Sequence, residues 1–468
     1  MSELPEGWTV VSLNDVSEFA PNAPVADIED LQPVHFVPMA AVAENFAGVD
    51  ASQLRPLKEV RKGYTAFVEG DVLFAKITPC MENGKGGLVP TLIHAVGFGS
   101  TEFHVLRPSQ MASGKWLAYF LSQPSFRKLA RANMTGTAGQ MRVPTKWLKA
   151  VEINVPPAAE QTRIVAKLEE LLSDLDAGVA ELQAAQKKLT QYRQSLLKAA
   201  VEGALTAEWR AQNPPGETGA QLLQRILQER RARWEAWQLA KFESQGKAPP
   251  KNWKDKYPEP VEPDTTDLPD LPEGWAWATV DQIAQVGTGV TPLRSKSAYF
   301  NEGTVPWVTS GALNNETVSF ATELVTELAL KECRLEIYPV GALLVAMYGE
   351  GKTRGKCSEL LISATVNQAI AAIVLEPSAR PIKAYLKAFL LDSYERMRAQ
   401  ASGGVQPNLN LQIIKAIVLP LPPHSEQVEI TKQLDMQFDQ ISQQQIAVEL
   451  GLKQSTAQRQ NILRAAFA

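Results

Sequence analysis

Leu4-Pro5-Glu6-Gly7-Trp8, residues 4–8, is written again as Leu271-Pro272-Glu273-Gly274-Trp275, residues 271–275. Five residues can coincide by chance, so the test is whether the residues after each copy also agree. Val155-Pro156-Pro157 precedes Glu160-Gln161, and Leu421-Pro422-Pro423 precedes Glu426-Gln427. Arg193-Gln194 and Leu197 are answered by Arg459-Gln460 and Leu463. Gly70-Asp71-Val72-Leu73-Phe74-Ala75 is matched by Gly341-Ala342-Leu343-Leu344-Val345-Ala346. Thr137-Ala138-Gly139-Gln140 falls opposite Gly403-Gly404-Val405-Gln406. Landmarks in one order at nearly one spacing make the chain two copies of one plan, each opened by LPEGW.

Within each copy, short β-type runs come first: VLFAKI (72–77) and FHVLRP (103–108), then ALLVAMY (342–348) and AIAAIVL (369–375). Gly, Pro and Asn turn signals bound them. A helical stretch comes after them, around 114–132 and 382–401. A Gly/Thr-rich loop and an apolar strand come next, and the double proline ends that strand just before a long helix.

The first long helix is predicted from Ala158 to about Glu202, roughly 65 Å at 1.5 Å per residue. Leu168, Leu175, Leu182, Leu189 and Leu196 recur every seventh position, with Ile164, Leu171, Ala185 and Tyr192 on the second seam line and Gly178 as its weak point. That is a coiled-coil pattern. The second copy keeps Leu434, Ile441, Val448 and Ile462 but places Gln437, Gln444, Ser455 and Gln458 in the seam. It is expected to pair with the first helix in antiparallel fashion. The alternative is two amphipathic helices, each packed on its own domain. The expected fold is α+β: two pseudo-repeated mixed α/β regions separated by two long helices that form an antiparallel coiled coil. The boundaries are 1–155 for the first region, 156–203 for the central spacer helix, 271–421 for the second region and 422–468 for the C-terminal spacer helix. Residues 204–270 have no counterpart and read as an inserted helix, AQLLQRILQERRARWEAWQLAKFE, then an extended Pro/Lys/Asp-rich linker.

The 468 residues, 45% hydrophobic and 21% charged, suit a globular protein of roughly two to four domains. No apolar run approaches the ~20 residues that span a bilayer. Three scattered cysteines, four histidines and no basic-then-apolar leader point to a reducing cytoplasm without a zinc site or membrane partner. The net charge is −4, yet residues 103–151 hold no Asp or Glu while carrying Arg107, Lys115, Arg127, Lys128, Arg131, Arg142, Lys146 and Lys149. Such a stretch is either a solvated face or a phosphate-binding surface.

Two catalytic-looking motifs lack the parts their chemistry needs. Ala346–Thr353 has a loose P-loop pattern ending Gly351-Lys352-Thr353, but RGKCSE starts no helix to cradle phosphate. The first copy, ITPCMENGKGG, lacks Ser or Thr after its Lys85. Asn213-Pro214-Pro215-Gly216 resembles the NPP-aromatic motif of adenine methyltransferases, but it lacks the aromatic ring and lies in the linker. No nucleophile–base arrangement stands out, so the chain does not read as an enzyme.

Two non-identical heads on a helical spacer suit a reader of two half-sites on DNA. The ordered set LPEGW, GDVLFA with GALLVA, the Gly/Gln loop before each PP-x-x-EQ, LLKAAVEGALTAEWR and NILRAAFA resembles the DNA specificity subunit of type I restriction–modification systems. The resemblance implies two target recognition domains, each reading half of a bipartite, asymmetric site in double-stranded DNA. It implies spacer helices that dock two methyltransferase (modification) subunits. It places S-adenosylmethionine on those subunits, and ATP with Mg on separate restriction/translocase subunits, leaving no cofactor and no metal on this chain. The long insert resembles the branch with a large central region.

Hydrogen-bonding side chains beside glycines suit base edges, and Lys and Arg suit phosphates. The candidate DNA-binding residues are Lys76, Thr78, Lys85, Thr137, Gln140, Arg142 and Lys146 in the first head. In the second they are Lys352, Thr353, Arg354, Lys356, Gln406, Asn408 and Asn410. The spacer and subunit interface is expected at Leu168, Leu175, Leu182, Leu189, Leu196, Leu434, Ile441 and Val448. Two other classes remain open at this point: a coiled-coil scaffold or adaptor without DNA binding, and an NTPase using Lys352.

Overall fold

The structure is a computed structural model that describes residues 4–137, 139–348, 353–402 and 409–467. It divides into two compact units, one of residues 1–185 with 446–468, the other of residues 186–445.

In the first unit the apolar run at the centre of GDVLFA is a strand, Val72–Ala75, buried at every position. Its alternation between two apolar cores accounts for a strand with no polar residue. Val72 and Phe74 join a core under the helices Gly114–Ser122 and Pro124–Ala132, while Leu73 and Ala75 face a second core with Val37, Phe67 and Val105. The strand sits third in a four-stranded sheet, after Ser17–Phe19 and Phe103–Pro108 and before Gly86–Leu88. A second four-stranded sheet orders Leu54–Pro56, Pro33–Val37, Val96–Gly99 and Thr65–Val68. The helical stretch expected over 114–132 is two helices, because Pro124 opens the second and cannot continue the first.

The second unit repeats the plan. Strand Leu343–Ala346 is again wholly buried, with Leu343 and Val345 in one core and Leu344 and Ala346 in another. It is central in a five-stranded sheet ordered Ala284–Thr288, Ile370–Leu375, Leu343–Ala346, Cys357–Leu360, Thr317–Val318. Here too the helical stretch is split, into Lys383–Asp392 and Tyr394–Ser402.

LPEGW has the same structural role in both units. Gly7 and Gly274 take φ of +84° and +83°, a left-handed turn that a side chain would strain. The chain then forms a short strand, Thr9–Ser12 or Ala276–Thr279. Each pairs antiparallel with the strand ahead of the double proline, Glu152–Val155 or Val418–Leu421. The start of each copy is thereby clamped to the base of a long helix.

Those helices are Ala158–Val201 and His424–Ala466. In the first unit Arg459 pairs with Asp176, and Gly451 lies against Leu182. In the second, Tyr192 Oη donates to Gln437 Oε1 at 3.3 Å, and the Arg193 guanidinium lies 4.2 Å from the Phe438 ring centre. Within the first unit one helix number falls as the other rises, from Asp176 with Arg459 to Leu182 with Gly451, which is antiparallel pairing. Leu168, Leu196, Leu434, Ile441 and Val448 are buried, while Leu175, Leu182 and Leu189 are half-buried, as expected where only two helices meet.

The insert folds as helices Ala207–Gln212 and Gly219–Ser244. Leu222 and Ile226 are buried in the core of the second unit, and Arg230 and Arg233 reach the buried carboxylate of Glu376. The segment expected as a free linker is instead packed down. Trp253 stacks on Trp234 at 5.9 Å, and Tyr257 meets the same ring at 5.4 Å. Two large aromatic surfaces are worth more buried on the helix than solvated in a linker. Asn213, of the NPP run, comes just after the short helix and donates to Trp209 O at 2.7 Å, a turn role.

Candidate nucleic-acid interface

In the first unit three loops are stitched by main-chain hydrogen bonds. Lys76 N–H donates to Glu102 O at 2.9 Å, Val143 N–H donates to Lys76 O at 2.9 Å, and Thr78 N–H donates to Met141 O at 3.0 Å. Thr135 and Arg142 exchange two such bonds at 2.8 and 2.9 Å, closing the Gly/Thr loop at its base. At its tip Gln140 N–H donates to Thr137 O at 2.9 Å. Gly136, at φ +128°, would put a β-carbon 2.8 Å from Gln140 O, so only glycine fits there. The sequence candidates Lys76, Thr78, Thr137, Gln140 and Arg142 are thus brought together, with Thr137 and Gln140 exposed. Lys146 is exposed on the next helix, Thr145–Lys149.

Arg142 is not a free cation. Its Nε and Nη2 grip the Glu102 carboxylate at 3.0 and 2.8 Å, and Nη1 donates to Gln140 O at 3.0 Å. The guanidinium holds the Glu102 carboxyl below its ordinary range. Beneath them His104 Nε2 lies 2.9 Å from Val143 O, and burial pushes its imidazole pKa down, favouring the neutral ring. Glu102 and His104 carried no sequence signal, since their partners lie about forty residues away.

Lys85 lies outside this patch. Its Nζ donates to Met39 O at 3.1 Å and ties the hairpin after strand Val72–Ala75 to a neighbouring turn. The same hairpin meets Arg127, which in the sequence is only one of several arginines. Arg127 Nη2 donates to Asn45 Oδ1 at 3.2 Å, and a β-carbon at Gly84 (φ +69°) would collide with Arg127 Nη1.

The second unit has a related grouping. Gly355 (φ +83°) packs against Arg398, and Thr353 Oγ1 and Lys356 Nζ both donate to Asn314 Oδ1, at 3.3 and 3.0 Å. Asn314, Gly355, Lys356 and Arg398 border a crevice of about 650 Å³ that Arg193, Asn315 and Tyr394 also line. Arg354 is half-buried in the same turn. After this turn comes the strand Cys357–Leu360, so the helix that a P-loop requires is not there. Asn410 is a helix cap, its Oδ1 accepting from Ile413 N–H at 2.9 Å. Lys352, Gln406 and Asn408 lie outside the described residues.

Among the described residues no His/Cys/Asp/Glu cluster could hold a metal ion, and no helix is long and apolar enough to cross a membrane.

Comparison with known proteins agrees with this architecture. A family model described as the type I restriction modification DNA specificity domain matches residues 5–184 and again 272–450. The chain is 32% identical over 323 residues to the type I restriction enzyme EcoAI specificity subunit of Escherichia coli, covering 60% of this chain and 51% of that protein. It is 32% identical over 343 residues to the EcoEI specificity subunit of the same organism, covering 64% and 54%. The chain therefore spans about half the length of these relatives. Among solved structures, a chain from work on complex assembly and conformational transition of the type I R-M system superposes with TM-score 0.72 at 20% identity, covering 100% of this chain and 99% of that one. The HsdS subunit from Thermoanaerobacter tengcongensis gives 0.55 at 19%, covering 99% and 97%. At these identities the likeness is one of fold.

Proposed function

Given that the chain belongs to the type I restriction–modification DNA specificity family, we propose that it selects the DNA sequence for its complex, each unit reading one half of a bipartite site. Divergence between the two units makes that site asymmetric. The loop of Thr137 and Gln140 presents side-chain hydrogen-bonding groups for base edges, and Lys76 and Lys146 neutralise phosphates. In the second unit the turn of Thr353 and Lys356, steadied by Asn314, serves the same end. The long helices dock two methyltransferase subunits, which carry S-adenosylmethionine, while ATP with Mg belongs to the restriction/translocase subunits. The complex works in the cytoplasm.

The observation that carries the reading is exposed Thr137 and Gln140 on a base fixed by main-chain hydrogen bonds and the Glu102–Arg142 pair. A rigid base under an exposed polar tip is what base discrimination requires.

The test is a single-molecule map of N6-methyladenine in cells expressing this chain with the modification subunit of its system. A parallel culture carries Thr137→Ala with Gln140→Ala. One bipartite, asymmetric motif should be methylated by the parent, and one half of it should become degenerate or be lost in the variant. A motif unchanged in both halves would overturn the assignment of this loop. A chain that binds its modification subunit but directs no methylation and binds no DNA would be an adaptor.

A further inference from the structure

Of the same five residues, all but the glutamate are more covered in the second unit than in the first. In the second unit the chain turns at Gly203 and lays residues 203–219 over LPEGW. A β-carbon at Gly203 would come 2.7 Å from Pro272, and Gly219 N–H donates to Gly274 O at 2.7 Å. The polar anchor of this cover is Glu426, which is 1% exposed. It accepts from Thr206 Oγ1 at 2.7 Å, from Arg210 Nε at 2.9 Å and from the Trp275 indole at 2.8 Å. Trp275 is 8% exposed, and Pro423 is buried.

In the first unit Leu4, Pro5, Glu6, Gly7 and Pro157 are exposed. The Trp8 indole N–H is shut away from solvent with no acceptor. Its expected acceptor is present by the repeat: Glu160 answers Glu426. But Glu160 turns outward, half-buried, to Arg163 at 3.0 Å. A buried indole donor without a partner costs stability that an acceptor would restore. The repeat also shows what draws this glutamate inward, namely an arginine and a hydroxyl offered from a covering segment.

We propose that the LPEGW clamp of the first unit is a docking site for an arginine-bearing helical turn chemically like Thr206–Arg210. On docking, the arginine draws Glu160 from Arg163 to a position where it also accepts from the Trp8 indole. Apolar residues of the turn cover Pro5 and Pro157. The second unit has no vacancy for such a partner, because its own insert fills the place.

The experiment uses the full chain and a fluorescent peptide of residues 203–222, followed by anisotropy. One saturable site is expected. Glu160→Gln in the protein, or Arg210→Ala in the peptide, should weaken binding about tenfold, the size of a lost charge-assisted hydrogen bond. Arg163→Ala should not weaken it, since that change frees Glu160. The absence of saturation up to about 1 mM, the weakest affinity at which a specific contact would matter, overturns the proposal. Binding indifferent to Glu160→Gln, in a variant with unchanged circular dichroism, overturns it as well.

Discussion

Arg142 is held by Glu102 at two points, 2.8 and 3.0 Å, and passes its remaining nitrogen to the carbonyl of Gln140. The ion pair shapes the loop rather than displaying a charge to solvent. Glu102→Gln should therefore loosen the Gln140 tip and release a cation at once. Discrimination between a matched and a mismatched half-site should fall, while binding to unrelated DNA stays equal or rises. Titrating the two DNAs at one salt concentration measures both. A parallel loss on both would assign Glu102 to general stability.

Gln140→Ala removes the exposed side-chain amide and leaves the loop's main-chain bonds in place. Specificity should relax at one base position by ~1–3 kcal/mol, the worth of a good base-edge contact. Competition among oligonucleotides with single base changes reads this directly. Uniform weakening across all of them would make Gln140 a phosphate contact.

Asp71, fully buried, receives Arg107 Nε at 2.9 Å and Nη2 at 3.0 Å. The strand registers set Asp71 and Arg107 opposite Ala342 and Val374 of the second unit, so both charges are replaced together there. Asp71→Ala should cost about 3–5 kcal/mol, because it strands a partly buried guanidinium. Asp71→Ala with Arg107→Val should recover much of that loss. Urea unfolding of the two variants tests the pair, and equal losses in both would show that the pair itself is not what matters.

Leu168 is 3% exposed, whereas Leu182 is half-buried. Leu168→Ala should cost about 2–5 kcal/mol. Leu182→Ala should cost nearer ~1 kcal/mol, since much of its surface already meets water. Thermal melts should rank them in that order. The reverse order would mean that the middle of the helical pair is buried in the molecule in solution.

Burial raises the Glu359 carboxyl, but Lys383 at 2.6 Å and Lys387 at 3.3 Å outweigh it and hold its pKa below the ordinary 4.5. The unfolded chain then binds more protons near that pH. The stabilisation is complete above the unfolded value and is lost as pH falls through the lower folded one. The stability gap between the parent and Glu359→Gln should be wider at about pH 6 than at about pH 3.5. A gap that does not change with pH would show the lysines are not its cause. The buried Cys357, on the same strand with its thiol pushed up to about 12, should stay unreactive toward alkylating agents throughout.

The long helices, the buried strands and the repeat were all legible because each is a local or periodic signal. Leu168 and Leu196 are where heptad spacing puts them, and Val72–Ala75 alternates between two cores as an unbroken apolar run should. The candidate site was legible only by residue type. Gln140 and Thr137 stood beside glycines, but nothing near Arg142 named Glu102, and nothing near Gly84 named Arg127 or Asn45. Asn410 looked like a reader because an amide suits a base edge, and it suits a helix cap equally well. Trp253 and Tyr257 lay in a stretch whose prolines and charges spoke for a linker, and packing on Trp234 outweighed them.

The sequence by itself determined that this chain is two copies of one plan, each opened by LPEGW and closed by a heptad helix. Periodicity and order survive without coordinates, since they depend only on neighbours along the chain. Tertiary structure alone decided what the repeated residues do. Identical pentapeptides became a clamp bonded to Glu426 and a more exposed one whose Glu160 turns to Arg163. An exposed-looking arginine became the brace of a loop. The covered clamp and the braced loop rest on distant partners, Thr206 for Glu426 at 220 residues and Glu102 for Arg142 at 40, brought within 3 Å by the packing of elements whose own sequences do not specify them.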